Sequence, residues 1–161
     1  MSVSVREARA GDGCALHRLV CELADHHGDL QHVVSTPEQL EAALCVPSDC
    51  HGCLVAEVDG EVVGLAYWYE IFTTFTARNK IYLEDIVVST QARGTGAGFA
   101  LMKSVAQICV ERECPRFEWL AMSDNVAGQK FYTQIGGKVL EGAETWQLWH
   151  DDIAALAEAE A

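Results

Sequence analysis

The sequence predicts a mixed α/β domain, and three observations carry that expectation. Tyr82–Val88 alternates its side chains and is rich in β-branched residues, the pattern of a strand. Phe99–Val110 instead repeats apolar residues at helical spacing, and so does Cys14–Ala24, where Leu16, Leu19, Val20 and Leu23 form one stripe. Asp59-Gly60 sits between two further strand-like runs, where Asp-Gly suits the positive backbone angles of a two-residue hairpin turn.

In order along the chain, Val3–Ala8 reads as a first strand, broken by Ala10-Gly11-Asp12-Gly13. The Cys14–Ala24 helix follows and Gly28 ends it. Ser35-Thr36-Pro37-Glu38 offers a hydroxyl cap and a first-turn proline to a short helix over Leu40–Leu44, and Pro47 stops it. Leu54–Val58 and Glu61–Tyr69 make the hairpin, Thr73–Asn79 a polar loop, and Lys80–Val88 the next strand. Gly96–Glu113 is the main helix, which Pro115 cannot continue. Phe117–Met122 is a further strand, and Asp124 or Asn125 caps a helix reaching Ile135 before Gly136-Gly137. Lys138–Glu141 and Thr145–Trp149 read as short strands, and Asp152–Ala161 as a helix or a frayed tail. With 161 residues and no linker or repeat, one domain over residues 1–161 is expected.

Lysine and arginine number 11 against 24 aspartates and glutamates, a formal charge of −13. That field opposes phosphate polymers and anionic membranes and favours approach of a cationic amine. No apolar run nears the roughly 20 residues that span a bilayer, and MSVSVREAR lacks a hydrophobic signal region, so a cytoplasmic location is expected. The seven cysteines are then reduced. Cys50 and Cys53 in CHGC suggest a redox pair or half a zinc site, but no second CxxC accompanies them, and half-buried thiols are the simpler account. His26, His27, Asp29 and His32 read as a solvated helix end rather than a metal cluster, because adjacent histidines cannot share a helix face. No metal is expected.

The informative stretch is Tyr82–Gly98, a strand, a glycine loop and a helix start, where free backbone N–H groups favour an anion. It is not a P-loop, since Phe99 and Ala100 stand where lysine and a hydroxyl residue belong. Nor is it a dinucleotide fingerprint, since the sixth position counted from Gly94 is Phe99 and from Gly96 is Leu101. Arg93-Gly94-Thr95-Gly96-Ala97-Gly98 resembles the R/Q-x-x-G-x-G/A motif of the GNAT superfamily of N-acetyltransferases. Glu22-Leu23-Ala24, Cys53–Val58, Val63–Tyr69, Tyr82–Val88, Asn125 with Phe131-Tyr132, and Trp146-Gln147-Leu148 extend the likeness in order across residues 3–150. Together they are similar to the diamine (spermidine/spermine) and thialysine acetyltransferase branch.

The resemblance implies a central, mostly antiparallel sheet of about seven strands with a splayed central strand and helices on both faces. It also implies acetyl-CoA as donor, held by Ile86, Val87, Val88, Arg93, Gly94, Thr95, Gly96, Ala97, Gly98, Phe99, Asn125 and Gly128. The loop amides would take the pyrophosphate, and Ile86–Val88, beside a bulge at Val88, the pantetheine arm. Tyr132 is the implied acid for the leaving thiolate, although packing at an interface would also account for it. Glu84 is implied as base or amine anchor. Strand alternation puts it on one face with Tyr82, Ile86 and Val88, opposite Asp85, which reads as a structural carboxylate.

The acceptor is a small-molecule amine, with polyamine and thialysine-like amino acid both open. Asp25-His26-His27-Gly28 and Thr73–Arg78 do not clearly present the acidic and tryptophan positions expected around a long polycation, and Arg78 would suit a substrate carboxylate. A homodimer exchanging Thr145–Trp149 is implied. The reading from a different class is a non-catalytic module that binds CoA or a protein.

Overall fold

The computed structural model describes residues 2–159. Backbone contacts divide the chain into two compact units, one ending at Leu120 and the other starting at Ala121.

The first unit is a five-stranded sheet in the order β1 (Val3–Glu7), β2 (His51–Val58), β3 (Glu61–Thr73), β4 (Arg78–Val88), β5 (Phe117–Trp119). All neighbours are antiparallel except β4 and β5, which run parallel. The β2–β3 turn has Asp59 and Gly60 both at positive φ, 52° and 87°, as the Asp-Gly pair requires.

Residues in register share a face, so the ladders sort the core. One face carries Cys53, Val55, Leu65 and Val87, against which Leu16 and Leu19 of α1 (Gly13–His27) are buried completely. Each such leucine is worth about 1.5–3 kcal/mol of burial. α2 (Pro37–Leu44) lies on α1 and adds Leu40 and Leu44. Its start is the expected one, a capping box in which Thr36 accepts from the Gln39 amide, with Pro37 in the first turn. The opposite face carries Leu54, Ala66, Trp68 and Leu83, and α3 (Ala97–Glu111) crosses the sheet with Leu101, Met102, Val105 and Cys109 buried. A side chain at Gly64 would meet the Val87 carbonyl oxygen at 2.9 Å and Leu101 Cδ1 at 3.2 Å, so glycine there permits the close approach of both β4 and α3. Helices therefore cover both faces, as expected.

In the second unit, α4 spans Val126–Gln134 and α5 His150–Glu158. The strands expected at Lys138–Glu141 and Thr145–Trp149 are absent, because neither segment has a ladder partner among the described residues. Their side chains are exposed, including Val139, Trp146 and Trp149. An extended segment needs a neighbouring strand to satisfy its amides, and without one it stays irregular and hydrated. The helix expected from Asp152 starts two residues earlier, and the rest of that expectation, residues 160–161, lies outside the described residues. No described helix is long and apolar enough to cross a membrane.

Candidate active site

The end of β4 leads into the glycine loop through a single 3₁₀ turn, Thr90–Ala92. Gly94 and Gly96 then take φ of 81° and 91°, left-handed values that cost an L-residue about 1–2 kcal/mol. Gly96 is the cap residue of α3 and carries no side chain to satisfy the helix's first amides, those of Ala97, Gly98 and Phe99. Thr95 folds back, its Oγ1 donating to the Ala92 carbonyl at 2.7 Å. Arg93 and Phe99 are exposed beside this loop. The residues fit an anionic group: uncapped amides at a helix start, one exposed cation and no carboxylate within the loop itself.

A further contact, silent in the sequence reading, holds the loop's entrance. Glu22 of α1 accepts from Ser89 Oγ and from the Thr90 amide, each at 3.2 Å, and pairs with Arg18 at 3.0 Å. Arg18 in turn donates to the Val62 carbonyl at 2.8 Å. Glu22 had been visible only as a letter of the ELA segment, since its partners are 67 and 68 residues away.

β4 pairs with β5 only over Ile81–Leu83. From Glu84 to Val88 it keeps β3 on one side and has no ladder partner on the other among the described residues. This is the expected parting of the central strands, and it leaves Ile86, Val87 and Val88 on an open edge suited to an added extended chain.

The bulge does not fall at Val88, which pairs normally with Gly64. Tyr67 faces Asp85 and Trp68 faces Leu83, so Glu84 is the extra residue. This overturns the simple alternation. Ile86 and Val88 share the face of Ala66 and Gly64, whereas Asp85 and Tyr82 share the face of Tyr67 and Tyr69. Glu84 turns the same way, for its Oε2 accepts the Tyr69 hydroxyl at 2.9 Å. Consecutive carboxylates thus lie on one face among three tyrosines whose rings adjoin, Tyr67 to Tyr69 at 6.1 Å and Tyr69 to Tyr82 at 5.4 Å. His51 adds its ring edge to Tyr67 at 6.0 Å.

Neither carboxylate has a lysine or arginine partner among the described residues, and the electrostatics follow. Burial, then the charge of Glu84, raises the Asp85 carboxyl above the usual range, while His27 opposes. Burial and the hydrogen bond to Glu84 push Tyr69 up to about 12, and burial followed by the same charge raises Tyr67 and Tyr82. The three tyrosines were legible as an aromatic strand but not as a site, because their meeting depends on the β3–β4 register. Arg78, at the hairpin base, is exposed.

Tyr132, Asn125 and Gly128 belong to the second unit. Asn125 caps α4, its Oδ1 accepting the Gly128 amide at 2.9 Å, so these two residues are bound to each other. Tyr132 rests beside Phe131 at 5.5 Å between centroids, and burial raises its phenol above the ordinary value. Lys130 is exposed. The seven cysteines are free thiols, with Cys53 buried and Cys50 exposed, and His26 and His27 are solvated at the end of α1. Among the described residues no group of three metal-ligating side chains comes together.

A mixed sheet whose middle parts, with an uncapped glycine loop after the open end of β4 and paired carboxylates among tyrosines on the same strand, fits a transferase. The model of the acetyltransferase (GNAT) family matches residues 15–137, and the chain belongs to that family. It is an N-acetyltransferase. It is 33% identical to the thialysine N-epsilon-acetyltransferase of Sus scrofa, covering 98% of this chain and 96% of the relative. It is 30% identical to the human spermidine/spermine N(1)-acetyltransferase-like protein 1 over 90% of this chain, which corresponds to 22% of that longer protein. A solved integron cassette protein from the V. cholerae mobile metagenome superposes with a TM-score of 0.80 at 25% identity, covering 99% of each chain.

Proposed function

We propose that the protein moves the acetyl group of acetyl-CoA to the primary amine of a small cationic molecule, a thialysine-like amino acid or a polyamine. The observation that carries this is the cluster of Glu84 and Asp85 among Tyr67, Tyr69 and Tyr82, two carboxylates on one face of β4 with no lysine or arginine partner among the described residues. Carboxylates and aromatic faces are what an ammonium group binds. The formal charge of −13 draws such a substrate in.

Acetyl-CoA supplies the activated thioester. The amides of Ala97, Gly98 and Phe99, with Gly94, Thr95 and Gly96 allowing close backbone approach and Arg93 adding charge, would hold its diphosphate. The open edge of Ile86–Val88 would bind the pantetheine amides as an added strand does. Asn125 and Gly128 are assigned to the donor by the family resemblance alone; in the second unit they are bound to each other at the start of α4. Tyr132 acts as the acid toward the departing sulfur; its raised phenol stays protonated at neutral pH, which a donor requires. Glu84, exposed and steadied by Tyr69, anchors the ammonium.

A homodimer in which Thr145–Trp149 exchanges between copies is part of the same reading, supported by the exposure of Trp146, Leu148 and Trp149. So are a single catalytic domain, a cytoplasmic location for its free thiols, and the absence of nucleic acid among its partners. Sedimentation at micromolar concentration should give a dimer, and a monomer alone would remove that part.

The deciding experiment is acetyl-CoA-dependent thiol release over thialysine, lysine, ornithine, spermidine, spermine and an aminoglycoside. Turnover is expected with a small diamine or diamino acid. Tyr132→Phe should lower kcat by ~10²–10⁴-fold with acetyl-CoA binding unchanged. Full turnover by that variant from pH 6 to 9 would remove the acid role.

A further inference from the structure

Ser89, the first residue after β4, is a buried hydroxyl, 7% exposed. A buried hydroxyl needs a partner, and the one it has comes from α1. Glu22 accepts from Ser89 Oγ with one carboxylate oxygen and from the Thr90 amide with the other. Arg18, one turn earlier on α1, donates to the oxygen that Ser89 uses and, through its second terminal nitrogen, to the Val62 carbonyl. The neighbouring Val63 carbonyl accepts the Ser89 amide at 2.8 Å, so the bonds close a ring through α1, β3 and the chain leaving β4. The turn continues from there without a gap. The Ala92 amide donates to the Ser89 carbonyl at 2.9 Å, and Thr95 donates to the Ala92 carbonyl through its amide at 3.3 Å and its hydroxyl at 2.7 Å. A relay of hydrogen bonds thus runs from Glu22 to Thr95, the residue before the Gly96 cap of α3.

We propose that Glu22 is a positioning residue for the acetyl donor: by fixing where the turn leaves β4 it aims the Ala97–Phe99 amides at the donor's diphosphate, and it sets how strongly the protein prefers acetyl-CoA to a donor without that diphosphate. This rests on the reading of the loop as the acetyl-CoA site. Glu22 acts through Ser89 and Thr90, gripping a side chain and a backbone amide of consecutive residues, which fixes the direction of the turn as well as its place. A carboxylate this near an anion site would by itself repel the ligand. Arg18 offsets that charge, so Glu22 holds the turn by accepting hydrogen bonds without setting a bare negative charge behind the loop.

Two features separate this role from plain support of the fold. α1 is held to the sheet by Leu16, Leu19, Val20 and Leu23, so removing the Glu22 carboxylate leaves that packing intact and releases only the turn. The donor is also divided at Ser89. Ile86–Val88, proposed for the pantetheine arm, precede it and are fixed by the ladder with Gly64, Leu65 and Ala66, whereas the loop proposed for the diphosphate follows it. Loss of Glu22 therefore falls on the diphosphate half of the donor and spares the thioester half.

The test measures CoA affinity by calorimetry in wild type, Glu22→Ala, Ser89→Ala, the double variant and Glu22→Gln. It also compares kcat/KM for acetyl-CoA with that for S-acetylpantetheine, a donor that has the thioester and the arm but no diphosphate. CoA should bind about threefold more weakly to Ser89→Ala and about tenfold more weakly to Glu22→Ala, and the double variant should lose about tenfold rather than the roughly thirtyfold of independent sites. Glu22→Gln keeps an acceptor oxygen and should return to within about threefold of wild type. In Glu22→Ala, kcat/KM should fall about tenfold with acetyl-CoA and stay within about twofold with S-acetylpantetheine. Unchanged CoA affinity, a double variant that loses the full product of the singles, or equal losses on the two donors would each overturn the assignment, the last by showing that Glu22 only stabilises the fold. Ser89→Ala decides by the same comparison of donors if Glu22→Ala does not fold, and the calorimetric cycle decides alone if S-acetylpantetheine turns over too slowly to follow. Wild-type protein that binds no CoA would overturn the parent reading instead, a different and earlier failure.

Discussion

At the proposed donor loop a single residue, Gly96, joins the backbone's conformational limits to the amides offered to an anion. Its φ of 91° lies where a Cβ is strained, yet no heavy atom lies within 4 Å of the place a Cβ would take. Substitution there acts through the backbone rather than through a clash. Gly96→Ala should therefore cost about 1–2 kcal/mol in the conformation that presents the Ala97–Phe99 amides. Since 1.4 kcal/mol is about tenfold in affinity, acetyl-CoA should bind roughly 5–30-fold more weakly by calorimetry, with the amine KM unmoved. Unchanged donor affinity would show that the amides keep their aim without left-handed geometry at Gly96.

Among the elements, the strand–loop–helix unit from β4 to α3 was legible because its signals are local: alternation, then glycines, then a helical stripe. The same holds for α2, whose capping box and proline announce its start. What escaped depends on long-range pairing. The inserted residue at Glu84 is set by the register with β3, and no pattern within YLED distinguishes a bulge from a regular strand. Lys138–Glu141 and Thr145–Trp149 failed for the converse reason, having strand-like composition without a neighbour to pair with. Glu22 shows the same dependence on distance, since α1 reaches the loop's entrance only after folding. Glu22→Ala should free Ser89 and Thr90 and raise the acetyl-CoA Kd by about tenfold, with kcat at saturating donor within about twofold of wild type. Equal affinity in calorimetry would show that the loop entrance is held without α1.

Across the whole molecule, stability and chemistry make opposite demands on carboxylates. Asp12 is buried, accepts from both Arg6 and the Arg9 amide, and pairs with Arg6 at 2.7 Å, while Glu57 binds the other side of the same guanidinium. Arg6 holds the Asp12 carboxyl below its usual value, so its ionised form favours the fold. That stability is complete above about pH 4 and is lost as pH falls through the lowered folded value. Asp85 has the reverse sign: its raised folded value gives stability below about pH 4 that is lost as pH rises through it. Asp12→Asn should thus lower the urea unfolding free energy at pH 7 by roughly 1.5–3 kcal/mol and flatten the acid loss. Asp85→Asn should unfold at higher urea than wild type at pH 7 and lose that advantage by pH 3, because the wild-type carboxyl is then protonated. The cation cluster would then be stability given up for function. A midpoint for Asp85→Asn at or below wild type at pH 7, with an unchanged slope, would show that the carboxylate is accommodated without cost.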